Sequence, residues 1–423
     1  MQQILNWMRR LVYPTAIVFL LWAGYQVVAS PNVSQSDGRI LAVYDSESTV
    51  PDCDKARDMT PDNENISASA LIGLCRAART SAGHGPEVAL VNIHDALDHP
   101  LELRTTKIFE SLASKVAAGP VMGVISLLAS PDSPPVVRFC RAMQIPLLLA
   151  VAANDDLLAP SEDTNGLVFR MTPTNGQQAL DMEKWLQNGA GGQTLRVAVF
   201  HEANTFGEFL QQRINDLINK TNGKNIMLFN YEVSDRLGFS DLMPQLWCGK
   251  IDRIVYLGFA PRALELLNTL RWYRADPDAV ACTEPAPSGA SSRDSRGTTF
   301  KNVTVLLSSG AYDEDLNDPR KYSFLFKVFA LLPIAPVAGK ETPSIHSAAT
   351  PDDDYSEASK YGYDSYAVLD RLAKRKFETS SAPVYSGKTG HVYSFDEKGE
   401  LTPHDENTYK PYLLRSSNST ETP

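Results

Sequence analysis

From Arg39 onward, short apolar runs bounded by turn residues alternate with longer stretches in which apolar positions recur every three to four residues. The first pattern predicts strands and the second predicts helices. RILAVYD (39–45) is the first strand; an acidic, proline-bearing loop leads to a helix near 64–80, and EVALVNI (87–93) is the second strand. TTKIFESLASKVAAG (105–119) places Ile108, Leu112 and Val116 on one helical face, and VMGVISLL (121–128) follows as a buried strand. A helix at 134–144, a strand IPLLLAV (145–151) and an extended link LVFRMTP (167–173) repeat the unit. A second series opens near 176 with a helix through Trp185. It continues with RVAVFHE (196–202), a helix at 206–219, NIMLFNYEV (225–233), a helix at 239–248, RIVYLGF (253–259), a helix at 261–274 and VTVLLSS (303–309). Late in the chain, YGYDSYAVLDRLAKR (361–375) is amphipathic, with Tyr366, Leu369 and Leu372 available for one face.

Strands and helices in alternation predict an α/β fold of parallel sheets covered on both faces. Residues 31–175 form the first lobe, to which the C-terminal part of the chain returns, and 176–400 form the second lobe with the hinge crossings. Residues 283–299, rich in Ser, Pro and Gly, are expected as an exposed insertion, 338–356 form a second weak segment, and 401–423 are expected as a flexible tail.

One stretch fits neither period. Residues 11–29 (LVYPTAIVFLLWAGYQVVA) carry no charge and follow Arg9 and Arg10. At 1.5 Å per residue such a helix nearly spans the roughly 30 Å of bilayer hydrocarbon, and the arginines favour a cytoplasmic N-terminus. Residues 1–30 are therefore a membrane anchor or a signal segment, with the body outside the cytoplasm. Trp7, Tyr13, Trp22 and Tyr25 suit the interfacial belts of a retained single-pass anchor, whereas Val27 and Ala29 suit cleavage and a periplasmic or secreted product.

Composition narrows the function. With 43% hydrophobic and 21% charged residues the body can fold as an ordinary globular protein, and a net charge of -10 without a basic stripe excludes a nucleic-acid binder. Five cysteines in an exported chain predict a disulfide; Cys53 and Cys75 share one loop-helix unit and are the expected pair, with Cys248 and Cys282 as a weaker second pairing. Cys140 lies among Val137, Phe139 and Met143 and reads as a buried, inert thiol. No CxxC or HxxxH spacing offers a metal site; His201 and Glu202 are followed by Thr205 where a zinc protease needs a second histidine. Neither GxSxG nor a Walker loop occurs, so no cofactor and no enzymatic activity are expected.

Several motifs stand in an order that resembles the type I periplasmic binding proteins, the family of branched-chain amino-acid binding proteins and of many receptor ectodomains. They are GVISLLASPDSPP (123–135), IPLLLAVAANDDL (145–157), FRMTPTNGQQA (169–179), AVFHEANTFGEFL (198–210), YEVSDRLGFSDLMPQL (231–246), YGYDSYAVLDRLA and HVYSFDEKGE (391–400). The resemblance covers about 39–400. It departs at the first strand, where AVYDSEST replaces the family's proline- and glycine-bearing loop.

The resemblance implies a two-lobed protein that closes on a small molecule beyond the carboxyl ends of its strands. The candidate ligand-binding residues are then Ser126, Ser130 and Ser133 after one strand, Ala152, Ala153 and Asn154 after the next, and Phe206, Phe259, Ser309 and Tyr312 in the second lobe. Relatives that grip amino acids carry hydroxyl groups where this chain has Ala152 and Ala153, and a tyrosine where it has Phe206. A ligand other than a free amino acid is expected, with a membrane permease or receptor as partner. The competing reading is a tethered protein-interaction module of the same fold that holds no solute.

Overall fold

The structure is a computed structural model. It describes residues 38–48, 50, 52–57, 66–81, 85–158, 167–190, 194–220, 225–234, 238–248, 251–275, 303–311, 316, 327–332, 357–374, 385–386, 392–393, 395 and 410–414. The expected membrane segment, the insertion at 283–299, the weak segment at 338–356, Tyr312 and Cys282 lie outside the described residues. Among the described residues no helix is long and apolar enough to cross a membrane. The chain divides into two compact units, one from Met1–Pro173 and Glu341–Asn407, the other from Thr174–Lys340 and Thr408–Pro423.

Unit 1 is built on five strands: β1 (Arg39–Tyr44), β2 (Val88–Asn92), β3 (Val121–Ser126), β4 (Leu147–Leu149) and β5 (Val168–Arg170). All pair in parallel, in the order β2-β1-β3-β4-β5. Its helices are α1 (Cys53–Arg57), α2 (Ile66–Thr80), α3 (His94–Leu97), α4 (Leu101–Ala117), α5 (Ser133–Met143) and α10 (Glu357–Lys374), the last supplied by the returning chain. On one face, Ile108, Leu112 and Val116 of α4 and Val136, Val137 and Phe139 of α5 pack with Leu41, Val43 and Val124. Helices α2 and α10 cover the other face. They approach so closely that a Cβ on Gly73 would lie 1.8 Å from the Ser359 carbonyl oxygen, and one on Gly362 would lie 1.8 Å from that of Ala70. Cys53 and Cys75 are disulfide-bonded, with Cα atoms 4.9 Å apart, as expected from their placement. Cys140 is buried, and burial pushes its thiol well above the usual range. Strands β11 (Tyr385–Ser386) and β12 (Val392–Tyr393) form a short antiparallel pair near the end of this unit.

Unit 2 carries β6 (Leu195–Glu202), β7 (Ile226–Val233), β8 (Arg253–Leu257), β9 (Thr304–Leu307), β10 (Lys327–Leu332) and β13 (Lys410–Leu413). The order is β13-β10-β9-β8-β6-β7, parallel except for β13. Helices α8 (Phe239–Cys248) and α9 (Ala260–Ala275) lie on one face, where Phe239, Met243, Leu266 and Leu270 meet Phe200 and Tyr256. Helices α6 (Asn175–Ala190) and α7 (Thr205–Lys220) lie on the other, with Met182, Leu186, Leu210 and Ile214 against Val197 and Val199. After their half-buried first residues, Arg253 and Thr304, β8 and β9 are buried on both sides, whereas edge strand β7 leans toward solvent.

Two strands of unit 2 were absent from the sequence expectation. KVFALL (327–332) is β10, and residues 410–413, expected within a flexible tail, form β13 against it. Pro411 lowers any local strand signal, yet an antiparallel edge strand tolerates a missing donor.

Candidate functional site

Each sheet reverses its order once. In unit 1 the chain runs from β1 outward to β2, then returns to the far side of β1 as β3, so β1 and β3 flank a switch point. In unit 2, β6 and β8 do the same. Ligands of open α/β sheets bind outside the carboxyl ends of strands at such points.

At the unit 1 switch point Ser126 ends β3 in register with Val43 and Leu149; it is fully buried, and its Oγ makes no hydrogen bond to a described group. The other hydroxyls are spent. Ser130 Oγ accepts the backbone N–H groups of Ala153 and Asn154, both at 3.0 Å. Ser133 Oγ donates to the carbonyls of Ala129 (3.0 Å) and Leu128 (3.3 Å). Ala152 is a core residue, and its carbonyl accepts from Thr172 Oγ1 at 3.2 Å. Ser130 thus takes up two of the backbone N–H groups that this loop could offer an anion. Pro134 and Pro135, in the first turn of α5, have none to give.

Around β1 and β2 the mouth is polar. Asp45 Oδ1 and His94 Nδ1 are 2.8 Å apart, and Asn92 Nδ2 donates to the Ser46 carbonyl at 2.8 Å. The bond to Asp45 raises the His94 pKa above its ordinary 6.5, against some desolvation. Burial, reinforced by the charge of Asp45, raises that of Asp132; Arg104, 3.9 Å away, opposes this.

At the unit 2 switch point the arrangement is different in kind. Glu202, the last residue of β6, accepts the Tyr256 hydroxyl and the Phe259 N–H (2.9 Å) on Oε1 and the Asn204 amide (2.6 Å) on Oε2. Asn204 Oδ1 in turn accepts Gly207 N–H at 2.8 Å in the first turn of α7. One carboxylate thus ties the loop after β6 to the loop after β8. Burial, then the contact with Glu202, drives the Tyr256 phenol far above its usual range, so it stays a donor. The tie brings Phe206 and Phe259 together, stacked with centroids 5.4 Å apart and planes 28° apart. Phe259 is 44% exposed. Ser309 accepts the Gln178 side-chain amide, and Gly310 abuts both rings.

The structure thus gathers Ser126, Ser130, Ala153 and Asn154 on unit 1, and Phe206, Phe259 and Ser309 on unit 2. Ser133 and Ala152 serve the turn and core of unit 1 itself. Glu202 and Gln178 were missed from sequence; a carboxylate ending a strand just before a loop into a helix was the available signal for Glu202. Among the described residues no group of His, Cys, Asp and Glu could hold a metal ion. A cavity of about 600 Å³ lies elsewhere, at the amino ends of β1, β2 and β3, lined by Arg39, Glu87 and Lys374.

Solved structures share this architecture. A branched-chain amino acid transporter substrate-binding protein, LivJ of Streptococcus pneumoniae, in complex with isoleucine, superposes with a TM-score of 0.56 over 89% of this chain and 99% of its own, at 13% identity. A periplasmic binding protein type 1 of Bordetella pertussis gives 0.56 over 89% and 100%, at 12% identity. The chain has the type I periplasmic binding protein fold. A solute-binding protein of R. palustris in complex with 4-hydroxybenzoate also shares this fold, with a TM-score of 0.55 over 90% of this chain and 97% of its own, at 12% identity. Among curated proteins the chain is 25% identical over 187 residues to the Leu/Ile/Val-binding protein of Escherichia coli K12, a match covering 44% of this chain and 47% of that one. The Leu/Ile/Val/Thr-binding protein of Salmonella typhimurium matches equally, over 44% and 48%. The match spans about half the length of these relatives, both named as binding proteins. No family model matches. The resemblance read from the ordered motifs holds.

Proposed function

We propose that the chain is an extracytoplasmic solute-binding protein that closes its two units on a small molecule for a membrane permease, tethered through residues 11–29 or released by cleavage after them. One observation carries the reading: each sheet reverses at a switch point, and each switch point keeps a group that its own unit leaves unspent, the Ser126 hydroxyl in one and the exposed Phe259 ring in the other. The curated relatives bind leucine, isoleucine and valine by name. Here the specificity differs. A free amino acid needs donors for its carboxylate and acceptors for its ammonium; the donors of the loop after β4 are taken by Ser130, and Phe206 has no hydroxyl. A polar ligand group left unpaired costs about 1–3 kcal/mol, one to two decades of affinity.

Thermal-shift screening of a metabolite collection tests the reading. A solute bound only by the native state stabilises it by about 2.7 kcal/mol at a hundredfold excess over Kd. Stabilisation by a solute, weakened in Ser126→Val, is expected; a protein that no metabolite stabilises would instead fit the interaction module. Submicromolar leucine binding would defeat the specificity. For topology, alkaline phosphatase fused after residue 40 should be active.

A further inference from the structure

We propose that unit 2 selects a ligand carrying an aromatic ring with a hydrogen-bond donor on it, seated against Phe259; this rests on the solute-binding reading and narrows it. Phe259 is one of few large apolar side chains exposed among the described residues, and unlike Trp272 or Met227 it stands at a switch point. It is also held. Its N–H is fixed by Glu202 at 2.9 Å, and one face leans on Phe206. Gly310 closes the arrangement from a third side: a Cβ there would sit 3.2 Å from the Phe259 ring, 3.3 Å from the Phe206 ring and 3.1 Å from the Gly258 carbonyl oxygen. An aromatic side chain immobilised at its backbone and stacked on a neighbour, yet 44% exposed, is a preformed wall for a flat partner.

The polar part of the seat is reached through Ser309, the chain neighbour of Gly310. Gln178 is fully buried, gives its amide N–H to Ser309 and leaves its side-chain carbonyl oxygen with no partner among the described groups. An unmatched buried acceptor favours a ligand that brings a donor, such as a phenolic hydroxyl. A carboxylate is not expected at this end. Glu202 already holds three donors there, and Arg262, at the start of α9, is paired with Glu265 at 2.8 Å.

Calorimetry on the full chain with 4-hydroxybenzoate, benzoate, cyclohexanecarboxylate and leucine tests this. We expect 4-hydroxybenzoate to bind best, benzoate next, and cyclohexanecarboxylate, of similar size but without π-faces, about tenfold or more below benzoate. Phe259→Leu keeps the apolar volume and should lose that aromatic preference, and Gln178→Leu should erase the advantage of the hydroxyl; unchanged circular dichroism verifies that each variant folds. Equal binding of the aromatic and saturated rings, or an unchanged preference in Phe259→Leu, overturns the inference. Tight binding of an aliphatic solute alone overturns it while leaving the solute-binding reading intact. Failure of every compound here and in the metabolite screen overturns both.

Discussion

The two units share one order of five parallel strands, to which unit 2 adds an antiparallel sixth, and equip it in opposite ways. Unit 1 places hydroxyls and charges at its switch point and then ties the polar groups to its own backbone and the charges to one another: Ser130 caps Ala153 and Asn154, Ser133 holds the turn before α5, Asn92 braces Ser46, and Asp45 pairs with His94. Unit 2 places one carboxylate at its switch point and uses it to present two phenylalanines. Polar residues in strand-end loops are therefore poor evidence of a ligand by themselves, because loop backbone consumes hydrogen-bonding capacity first. An exposed ring fixed in place is better evidence, since the fold gains nothing from leaving it in water.

The contrast extends to what holds each unit together, and it can be broken from either side. The largest effect is expected from Gly362→Val, which forces α10 off the Ala70 carbonyl. Overpacking against backbone should cost about 3 kcal/mol or more. Hydrogen exchange should then show unit 1 amides losing protection while β6 and β8 keep theirs; equal loss in both would mean the units do not unfold separately.

Next comes the disulfide. Cys53 and Cys75 close a loop with a sequence separation of 22, and Cys53→Ser with Cys75→Ser should remove about 2–4 kcal/mol, seen as a lower denaturant midpoint. A midpoint unmoved by the double substitution would show that the staple adds nothing to packing.

Glu202→Gln sharpens the comparison from the other unit. The amide keeps the shape but accepts on one atom only, so either the Asn204 bond or the Phe259 and Tyr256 bonds weaken, at about 1–3 kcal/mol. Ligand affinity should fall more than stability, because the stacked pair loses its orientation. The reverse ranking would make Glu202 a purely structural residue.

The smallest effect is electrostatic and belongs to unit 1. Because the folded-state pKa of His94 is raised, its contribution is fully present below the ordinary value of 6.5 and is lost as pH rises through the higher folded value. The raised pKa of Asp132 acts in the same direction at lower pH. Melting temperature should therefore slip on going from about pH 6 to pH 8, and His94→Gln should flatten that slope; an identical slope in the variant would remove the ion pair from the account.

Much of this architecture is legible in the sequence. Parallel strands buried on both faces need nearly continuous apolar runs, so RILAVY and VMGVIS announce themselves. The Cys53–Cys75 pairing was equally readable, since both residues sit in one local unit. What stayed hidden depends on distant partners. KPYL becomes strand β13 only because β10, some 80 residues earlier, offers it an edge. Ser126, Ser130 and Ser133 are one residue type in one loop, and only the folded positions of residues 128, 129, 153 and 154 decide which hydroxyl remains available. Glu202 drew attention in the sequence only as part of a failed zinc motif, because a carboxylate ending a strand has no further meaning until Phe259 and Asn204 arrive beside it.

The route of the chain carries a consequence for its biogenesis. Helix α2 precedes its partner α10 by almost 300 residues, and all of unit 2 except its final strand is synthesised between them. The face of α2 that receives Ser359 and Gly362 must therefore wait, uncovered, while the ribosome completes the intervening sequence. At roughly 5–20 residues per second that delay is tens of seconds, long enough for a chaperone to engage the unfinished surface before the molecule can cover it.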